Sequence, residues 1–361
     1  MSEQAFFSRD YFEAREKFRA AAQAAGAQFE VYDNLVKGPA GESLSTDVAR
    51  FGPADAESVL AVISGTHGGE GFCGSGVQIG TLQERQYAAL PKGLAVVLVH
   101  GINPYGFAWL RRVTEDNVDL NRNFVDFTKP LPINQGYEDL VDSIVPAAWT
   151  GSTREAADKR LGEYHAKHGQ MKFQEALSGG QYRHPKGIFY GGSGPTWSRR
   201  TFEAILKKHA GRGRRFAMID FHTGLGPFGY AELICADSVA SDDYKRTRDW
   251  YGESVTCFDD GSTKSAPIKG HNMHGCRTIL PQAEVTAIAP EYGTYPTPVV
   301  LNALRADAWL AAHGNRQGPQ GREIVQAMRR AFFPDTPDWN EMVWYRGRQV
   351  IRQAIKGLGG G

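Results

Sequence analysis

The stretch "SVLAVISGTHGGEGFCGSG", residues 58–76, joins an uninterrupted apolar run to a glycine-rich loop. A continuous run of aliphatic and β-branched residues is typical of a strand that is buried on both faces of a sheet. The loop that follows carries His67 and Glu70, three residues apart. Two interpretations are open. The pair binds a metal ion, with Gly68 and Gly69 letting the loop curl, or the loop is an ordinary strand-to-helix connection in which Glu70 favours the helix start.

Four more apolar runs are predicted to form strands: "LAVVLVH" (94–100), "RFAMIDFH" (215–222), "AELICA" (231–236) and "EVTAIAPEYG" (284–293). Segments 28–34 and 43–52 are predicted to form two short, paired strands. Helices are predicted over 4–26, from about 74, and over 137–148, 154–177, 198–210, 241–252, 299–313, 319–332 and 339–355. This alternation predicts the α/β class, with a central mixed, largely parallel sheet and helices on both faces.

Residues 1–361 are predicted to form a single α/β domain. The segment 125–200 is less regular than the rest and contains the Gly- and Pro-rich run "HPKGIFYGGSGPTW". Long irregular segments of this kind often serve as lids or binding loops. We therefore expect 125–200 to be an insertion that borders the active site.

Chemically capable residues follow three of the predicted strands. "GINPYGFAWLRRVTEDNVDLNRNF" follows the strand at 94–100, "DFHTG" (220–224) brings His222, and "EYGTYP" (291–296) brings Glu291. Functional residues of open α/β sheets gather beyond the carboxyl ends of the strands. His222 and Glu291 are therefore expected to lie close to His67 and Glu70.

Composition excludes several classes of partner. The formal net charge of +1 creates no field that favours nucleic acid or a membrane surface. No stretch approaches the roughly 20 apolar residues of a membrane span. The four cysteines are scattered without a CxxC pair, which favours reduced thiols and a cytoplasmic location. The oligomeric state stays open.

Two imidazoles and one carboxylate are a ligand set known for catalytic zinc, which keeps a further position open for water. His67, Glu70 and His222 are the predicted ligands of one Zn²⁺ ion. Glu291 is the predicted general base, because a base must face the metal from a strand end. Asp259, Asp260 and Glu284 are acids that compete with it for this role.

The segment 111–122 offers the remaining groups of a hydrolytic site. Arg112 is predicted to stabilise the oxyanion, with Arg111 as the neighbour that could replace it. Asn121 and Arg122 form a planar donor set for a substrate carboxylate. Asp119 is predicted to hold a ligating imidazole in the correct tautomer, and Asp220 is a further candidate for this role.

Taken in order, "HGGE", "RRVTEDNVDLNRNF", "DFHTG" and "EYGT" resemble the zinc carboxypeptidase superfamily, which includes aspartoacylase and succinylglutamate desuccinylase. The likeness spans residues 67–291 and is closest to an uncharacterised bacterial branch. It implies an α/β fold with one zinc at the strand ends and the same residue roles. The chain departs from digestive carboxypeptidases by having two glycines between His67 and Glu70. The short spacing of Arg112 looks more like the deacylase branch, and no tyrosine matches the substrate-capping one securely; Tyr230, Tyr292 and Tyr295 are candidates.

The predicted function is hydrolysis of an amide next to a substrate carboxylate, in a short peptide or an N-acyl amino acid. One alternative is a serine esterase that uses "HGGEG" as its oxyanion loop, although "GGSGP" fails the serine-elbow pattern. Another is a non-catalytic relative that binds a ligand. "GHNMHGC", which carries His271 and His274, is predicted to be a pocket or surface loop rather than a second metal site.

Overall fold

The structure is a computed structural model that describes residues 3–360. Within that range nine strands form one sheet: β1 (Gln28–Lys37), β2 (Ser43–Phe51), β3 (Ser58–Ile63), β4 (Leu94–His100), β5 (Arg215–Asp220), β6 (His222–Phe228), β7 (Ala231–Cys235), β8 (Val255–Cys257) and β9 (Glu284–Gly293). The α-helices of the same range are α1 (Tyr11–Ala24), α2 (Gly71–Gln83), α3 (Pro104–Trp109), α4 (Gln135–Glu138), α5 (Val141–Ile144), α6 (Gly151–Ser178), α7 (Trp197–Ala210), α8 (Asp242–Tyr251), α9 (Asn272–Ile279), α10 (Thr297–His313), α11 (Pro319–Phe332) and α12 (Pro337–Gly359).

The strands are ordered β1-β2-β4-β3-β5-β9-β7-β8, and β6 pairs with the end of β9. The central strands β4, β3, β5 and β9 run parallel, whereas β1, β2 and β7 add antiparallel pairs. The carboxyl ends of β3, β5 and β9 therefore meet at one edge. The predicted α/β class, with a mixed and largely parallel sheet, is confirmed.

Side chains of β3 alternate between two hydrophobic clusters, as a strand covered on both faces requires. Leu60 and Val62 pack in a cluster with α1, α2, α8 and α12, whereas Ala61 and Ile63 pack in a cluster with α7 and α9. The prediction of helices on both faces is thus also confirmed.

The segment 125–200 contains α4, α5 and α6, and α6 is interrupted at Gly169, whose φ is +77°. A third hydrophobic cluster joins this segment to α10 and α11 through Leu161, Leu177, Leu304 and Phe332. The segment is therefore packed against the rest of the chain by its own apolar contacts. Its description as an insertion in a single domain stays a prediction.

Among the described helices, none combines the length and the apolar character that a membrane crossing requires. All four cysteines are buried and unpaired.

Candidate active site

The loop after β3 depends on glycine in two ways, because Gly65 has a φ of +73° and Gly68 allows a close backbone approach. Neither Gly68 nor Gly69 has a positive φ. A Cβ on Gly68 would lie only 1.8 Å from the carbonyl carbon of Gly106 in α3, so no other residue fits there. The amide of Gly69 donates to the carbonyl of Arg111 (2.9 Å). The loop is thus fixed against the segment that carries Arg112.

Glu70 stands directly before α2, where a capping acid would stand, but its side chain makes no capping hydrogen bond. Its carboxylate turns into the interior and is buried. Oε2 of Glu70 accepts from the amide of Thr223 (3.0 Å). Glu70 therefore does not cap α2 through its side chain.

Glu70 meets two histidines that the fold brings together from separate strand ends. His67 Nδ1 lies 3.0 Å from Glu70 Oε1, and His222 Nδ1 lies 3.0 Å from Glu70 Oε2. The two Nδ1 atoms are 3.2 Å apart. Ligand atoms of all three residues lie within 4.8 Å of one another, and the group could hold a metal ion.

Each imidazole is hydrogen-bonded through its Nε2 to a buried carboxylate. Nε2 of His67 lies 3.0 Å from Asp119 Oδ1, and Nε2 of His222 lies 2.7 Å from Asp220 Oδ2. Because an ionised carboxylate only accepts hydrogen bonds, each Nε2 is assigned its proton. The lone pairs on the two Nδ1 atoms then face the same point, which is the arrangement of carboxylate–histidine–metal ligation.

Two Nδ1 lone pairs at 3.2 Å repel each other unless a cation or a proton lies between them. Burial opposes a charge on His222, but Asp220 and Glu70 outweigh it and raise the pKa of His222 well above its usual value. A metal ion would take the place of that proton. Zinc bonds of about 2.0–2.1 Å in a tetrahedron separate their ligand atoms by about 3.3 Å. The observed separations fit such an ion.

The charges around the histidines also fit a divalent cation. Glu70, Asp119 and Asp220 are three buried carboxylates, faced by the guanidinium groups of Arg112 and Arg122. Burial alone would raise the pKa of Glu70, but the neighbouring His67 and Arg112 lower it below its usual value. When both imidazoles are neutral, the three carboxylates outnumber the two arginines, and a divalent cation would supply the missing positive charge.

Arg112 bridges two of these acids. Its Nη1 donates to Glu70 Oε1 (2.8 Å) and its Nε donates to Asp119 Oδ2 (2.9 Å). Arg111 instead pairs with Asp307 on α10 (2.9 Å) and does not line the site. Of the two neighbouring arginines, Arg112 is the one that the fold brings to the histidines.

Arg122 is buried and held by backbone oxygens, with Nη1 donating to Asn121 and Nη2 to Ser178. Its Nε is buried and has no acceptor among the described residues. The ring of Phe189 lies 4.9 Å from the Arg112 guanidinium and 5.3 Å from that of Arg122. Phe189, itself at a φ of +53°, thus contacts both cations through its ring.

Glu291 lies on the strand next to His222, and the two are register partners between β6 and β9. Oε1 of Glu291 accepts from the amide of Leu225 (3.1 Å). Burial, and then the negative charge of Glu70, raise the pKa of Glu291 above its usual value, and a cation held by Glu70 would counter that rise. Of the competing acids, Glu284 lies at the opposite end of β9, and neither Asp259 nor Asp260 lines the cavity.

A cavity of about 130 Å³ opens beside the histidines. Six of the predicted site residues line it: His67, Arg112, Asn121, Arg122, His222 and Glu291. Of the other two, Glu70 contacts the histidines and Asp119 lies behind His67. The C-terminal half of α6 forms part of the wall, through residues such as Phe173 and Leu177. None of Tyr230, Tyr292 and Tyr295 is among the described lining residues.

Asn272 is a site residue that the sequence did not single out. Its side-chain Nδ2 donates to Asp220 Oδ2 (2.6 Å), and its backbone N–H donates to Asn121 Oδ1 (2.9 Å). It belongs to "GHNMHGC", where the two histidines are the visible signal. His271 caps α9 through its Nδ1 and His274 is exposed, so the expected loop is in fact the start of a helix.

The fold and the site together define an α/β protein in which the carboxyl edge of the sheet carries a buried His–Glu–His group that could hold a metal ion. Residues 7–346 match the family described as "Protein of unknown function (DUF2817)", and the chain belongs to that family. No curated protein matches the chain.

Solved structures similar to the chain include bovine thrombin-activatable fibrinolysis inhibitor in complex with tick carboxypeptidase inhibitor (10% identity, 94% of this chain and 98% of that chain, TM-score 0.44). The succinylglutamate desuccinylase of Chromobacterium violaceum is another (13% identity, 89% and 74%, TM-score 0.37). A third is an aspartoacylase family protein of Mesorhizobium loti MAFF303099 (16% identity, 81% and 68%, TM-score 0.33). Aspartoacylase and succinylglutamate desuccinylase are also the proteins that the sequence motifs resemble.

Proposed function

We propose that the protein is a zinc-dependent hydrolase that cleaves an amide bond next to a substrate carboxylate. The observation that carries the proposal is the convergence of His67 Nδ1, Glu70 and His222 Nδ1 on one point, with Glu291 on the adjacent strand. Buried carboxylates behind both imidazoles support a metal site rather than a structural histidine pair.

His67, Glu70 and His222 would hold the ion. A bound zinc supplies a Lewis acid and lowers the pKa of a water from 15.7 to about 7. Glu291 accepts the proton of the attacking water and delivers it to the leaving amine. Its contact with the Leu225 amide keeps the carboxylate oriented while the proton moves.

Arg112 and Arg122 divide the anionic groups of the substrate between them. Nη2 of Arg112 takes part in neither of the contacts with Glu70 and Asp119, and we assign it to the developing oxyanion. Arg122, with its unpaired Nε, and the amide of Asn121 are assigned to the substrate carboxylate. Asp119 orients both His67 and Arg112, so this one carboxylate positions a metal ligand and also the group that stabilises the oxyanion.

The proposal is tested by screening peptides with a free C-terminus and N-acyl amino acids, with and without a chelator. We expect hydrolysis that is lost on chelation and restored by Zn²⁺, together with one metal ion per chain. Activity that survives metal removal and is blocked by a serine-directed reagent would favour an esterase. A purified protein with neither metal nor turnover would favour a ligand-binding relative.

Arg122→Lys is expected to raise KM for substrates with a free carboxylate by about 10- to 100-fold, with a smaller change in kcat. Lysine keeps the charge but loses the planar donor pair, and a hydrogen bond to a charged group contributes about 1.5–3 kcal/mol. The measurement compares each substrate with its amide-capped counterpart, with Arg183→Lys on the exposed surface as the matched control. An equal loss on capped and free substrates would contradict the assignment.

A further inference from the structure

The cavity beside the histidines is chemically divided. Among the described residues that line it, the charged and imidazole side chains are those of the site already described: His67, Arg112, Arg122, His222 and Glu291. The remaining lining residues are apolar or neutral, and the hydrocarbon groups predominate. A substrate group that binds among these apolar residues, in the apolar part of the cavity, would meet no counter-ion there.

The floor of the apolar part belongs to the sheet. Ala289 precedes Glu291 by two residues, so both side chains project from the same face of β9. Ile234 of β7 is the register partner of Ala289, and both line the cavity. The apolar floor therefore begins directly beside the predicted general base.

The walls come from helices on two sides. Phe173 and Leu177 of α6 lie in the half of the helix that leads to Ser178, whose carbonyl accepts from Arg122 Nη2. Val300 and Leu304 of α10 line the cavity as well, and Leu177 and Leu304 share one hydrophobic cluster. A substrate residue whose carboxylate is bound by Arg122 would thus place its side chain among aliphatic and aromatic groups.

The outer wall is held in place by hydrogen bonds. Phe258 and Ile268 lie in the loop after β8. Within this loop the amide of Lys264 donates to Glu232 Oε1 (3.1 Å), and its carbonyl accepts from Gln174 Nε2 of α6 (2.9 Å). The loop and α6 are therefore tied to each other on this side of the cavity.

The cavity volume limits the occupant to one side chain. An apolar cavity of about 150 Å³ lined by Leu, Ile and Phe is large enough to hold benzene. The whole cavity here measures about 130 Å³, and Leu, Ile, Val and Phe side chains line the part of it that lies away from the histidines and arginines. A phenyl, isobutyl or thioether side chain matches it, whereas an acidic group would be buried without a partner.

We propose that the residue bearing the substrate carboxylate has a bulky apolar side chain, such as that of phenylalanine, leucine or methionine, and that this cavity receives it. The inference rests on the proposed function and selects among its substrates. Acidic N-acyl amino acids, and peptides ending in Asp, Glu, Lys or Arg, are then poor substrates.

The first test compares kcat/KM of the zinc-loaded protein on one peptide series that differs only in the last residue: Phe, Leu, Ala, Glu or Lys. We expect Phe or Leu to exceed Glu and Lys by at least about 100-fold, because an apolar pocket discriminates through both lost burial and an unpaired charge. Hydrolysis that favours Glu or Lys would overturn this inference and leave the proposed function standing. No hydrolysis in the series or in any N-acyl amino acid would count against the function itself.

A second measurement removes turnover from the comparison. Glu291→Gln leaves every apolar lining residue in place, so binding of the intact peptides is titrated by calorimetry, and the Phe peptide is expected to bind at least about tenfold more tightly than the Glu peptide. Phe258→Arg in the otherwise natural chain is expected to reverse the order of Phe and Glu in kcat/KM. Val239→Arg, on the exposed surface outside the cavity, is the matched charge control. Equal binding of both peptides would contradict the proposal.

Discussion

Glu291→Gln is expected to abolish hydrolysis while the protein keeps its metal. Glutamine matches glutamate in shape and still accepts from the Leu225 amide, but it cannot take a proton from water. General base catalysis contributes about 10²–10⁴ in rate, and here the same group also protonates the leaving amine. We therefore expect kcat to fall by about 10⁴, with bound zinc per chain unchanged by elemental analysis.

Glu284→Gln is the matched control, because Glu284 lies at the other end of the same strand and is largely exposed. It should hydrolyse at the natural rate. A Glu291→Gln protein that retains full activity would remove Glu291 from the mechanism, and one that loses its zinc would make Glu291 a structural part of the metal site instead. The two outcomes are separated by measuring activity and metal content on the same preparation.

The sheet and its functional edge were predictable because β3, β4 and β5 are largely apolar runs that end at or just before a polar residue, and β9 carries Glu291 close to its end. The predicted places of His67, His222 and Glu291 follow from these strand ends. Strands β6 and β8 were not predicted: "HTGLGPF" contains two glycines and a proline, and β8 has only three residues. Helix α3 has six residues and begins at Pro104, so it shows no helical period.

The supporting contacts of the site were beyond sequence reasoning because they join loops that are far apart in the chain. Asn272 and Asp220 are 52 positions apart, and nothing in either segment indicates the other. The choice between Arg111 and Arg112 likewise depends on tertiary contacts, since Arg111 is drawn to Asp307 on α10. The apolar cavity is assembled from strands, helices and loops, so its lining has no linear signature.

His222→Ala is expected to lower zinc affinity by more than about 100-fold. Loss of a carboxylate behind a ligating histidine already costs about 10- to 100-fold, and here one of three direct ligands is removed. The measurement is competition with a chelator of known affinity. His222→Gln is tested in parallel, because its amide can still donate to Asp220 and keeps that carboxylate from being buried without a partner.

Thermal unfolding tests independently whether His222 is a ligand of the zinc ion. An ion that binds only the folded chain stabilises it by RT ln(1 + [L]/Kd), or about 2.7 kcal/mol at 100 times Kd. Zinc should therefore raise the Tm of the natural protein and of His274→Ala, a control histidine that is exposed on α9. At the same zinc concentration the Tm of both His222 variants should barely move. A zinc-dependent rise in the His222 variants equal to that of the natural protein would mean that the ion binds elsewhere, and the hydrolase proposal would lose its metal centre.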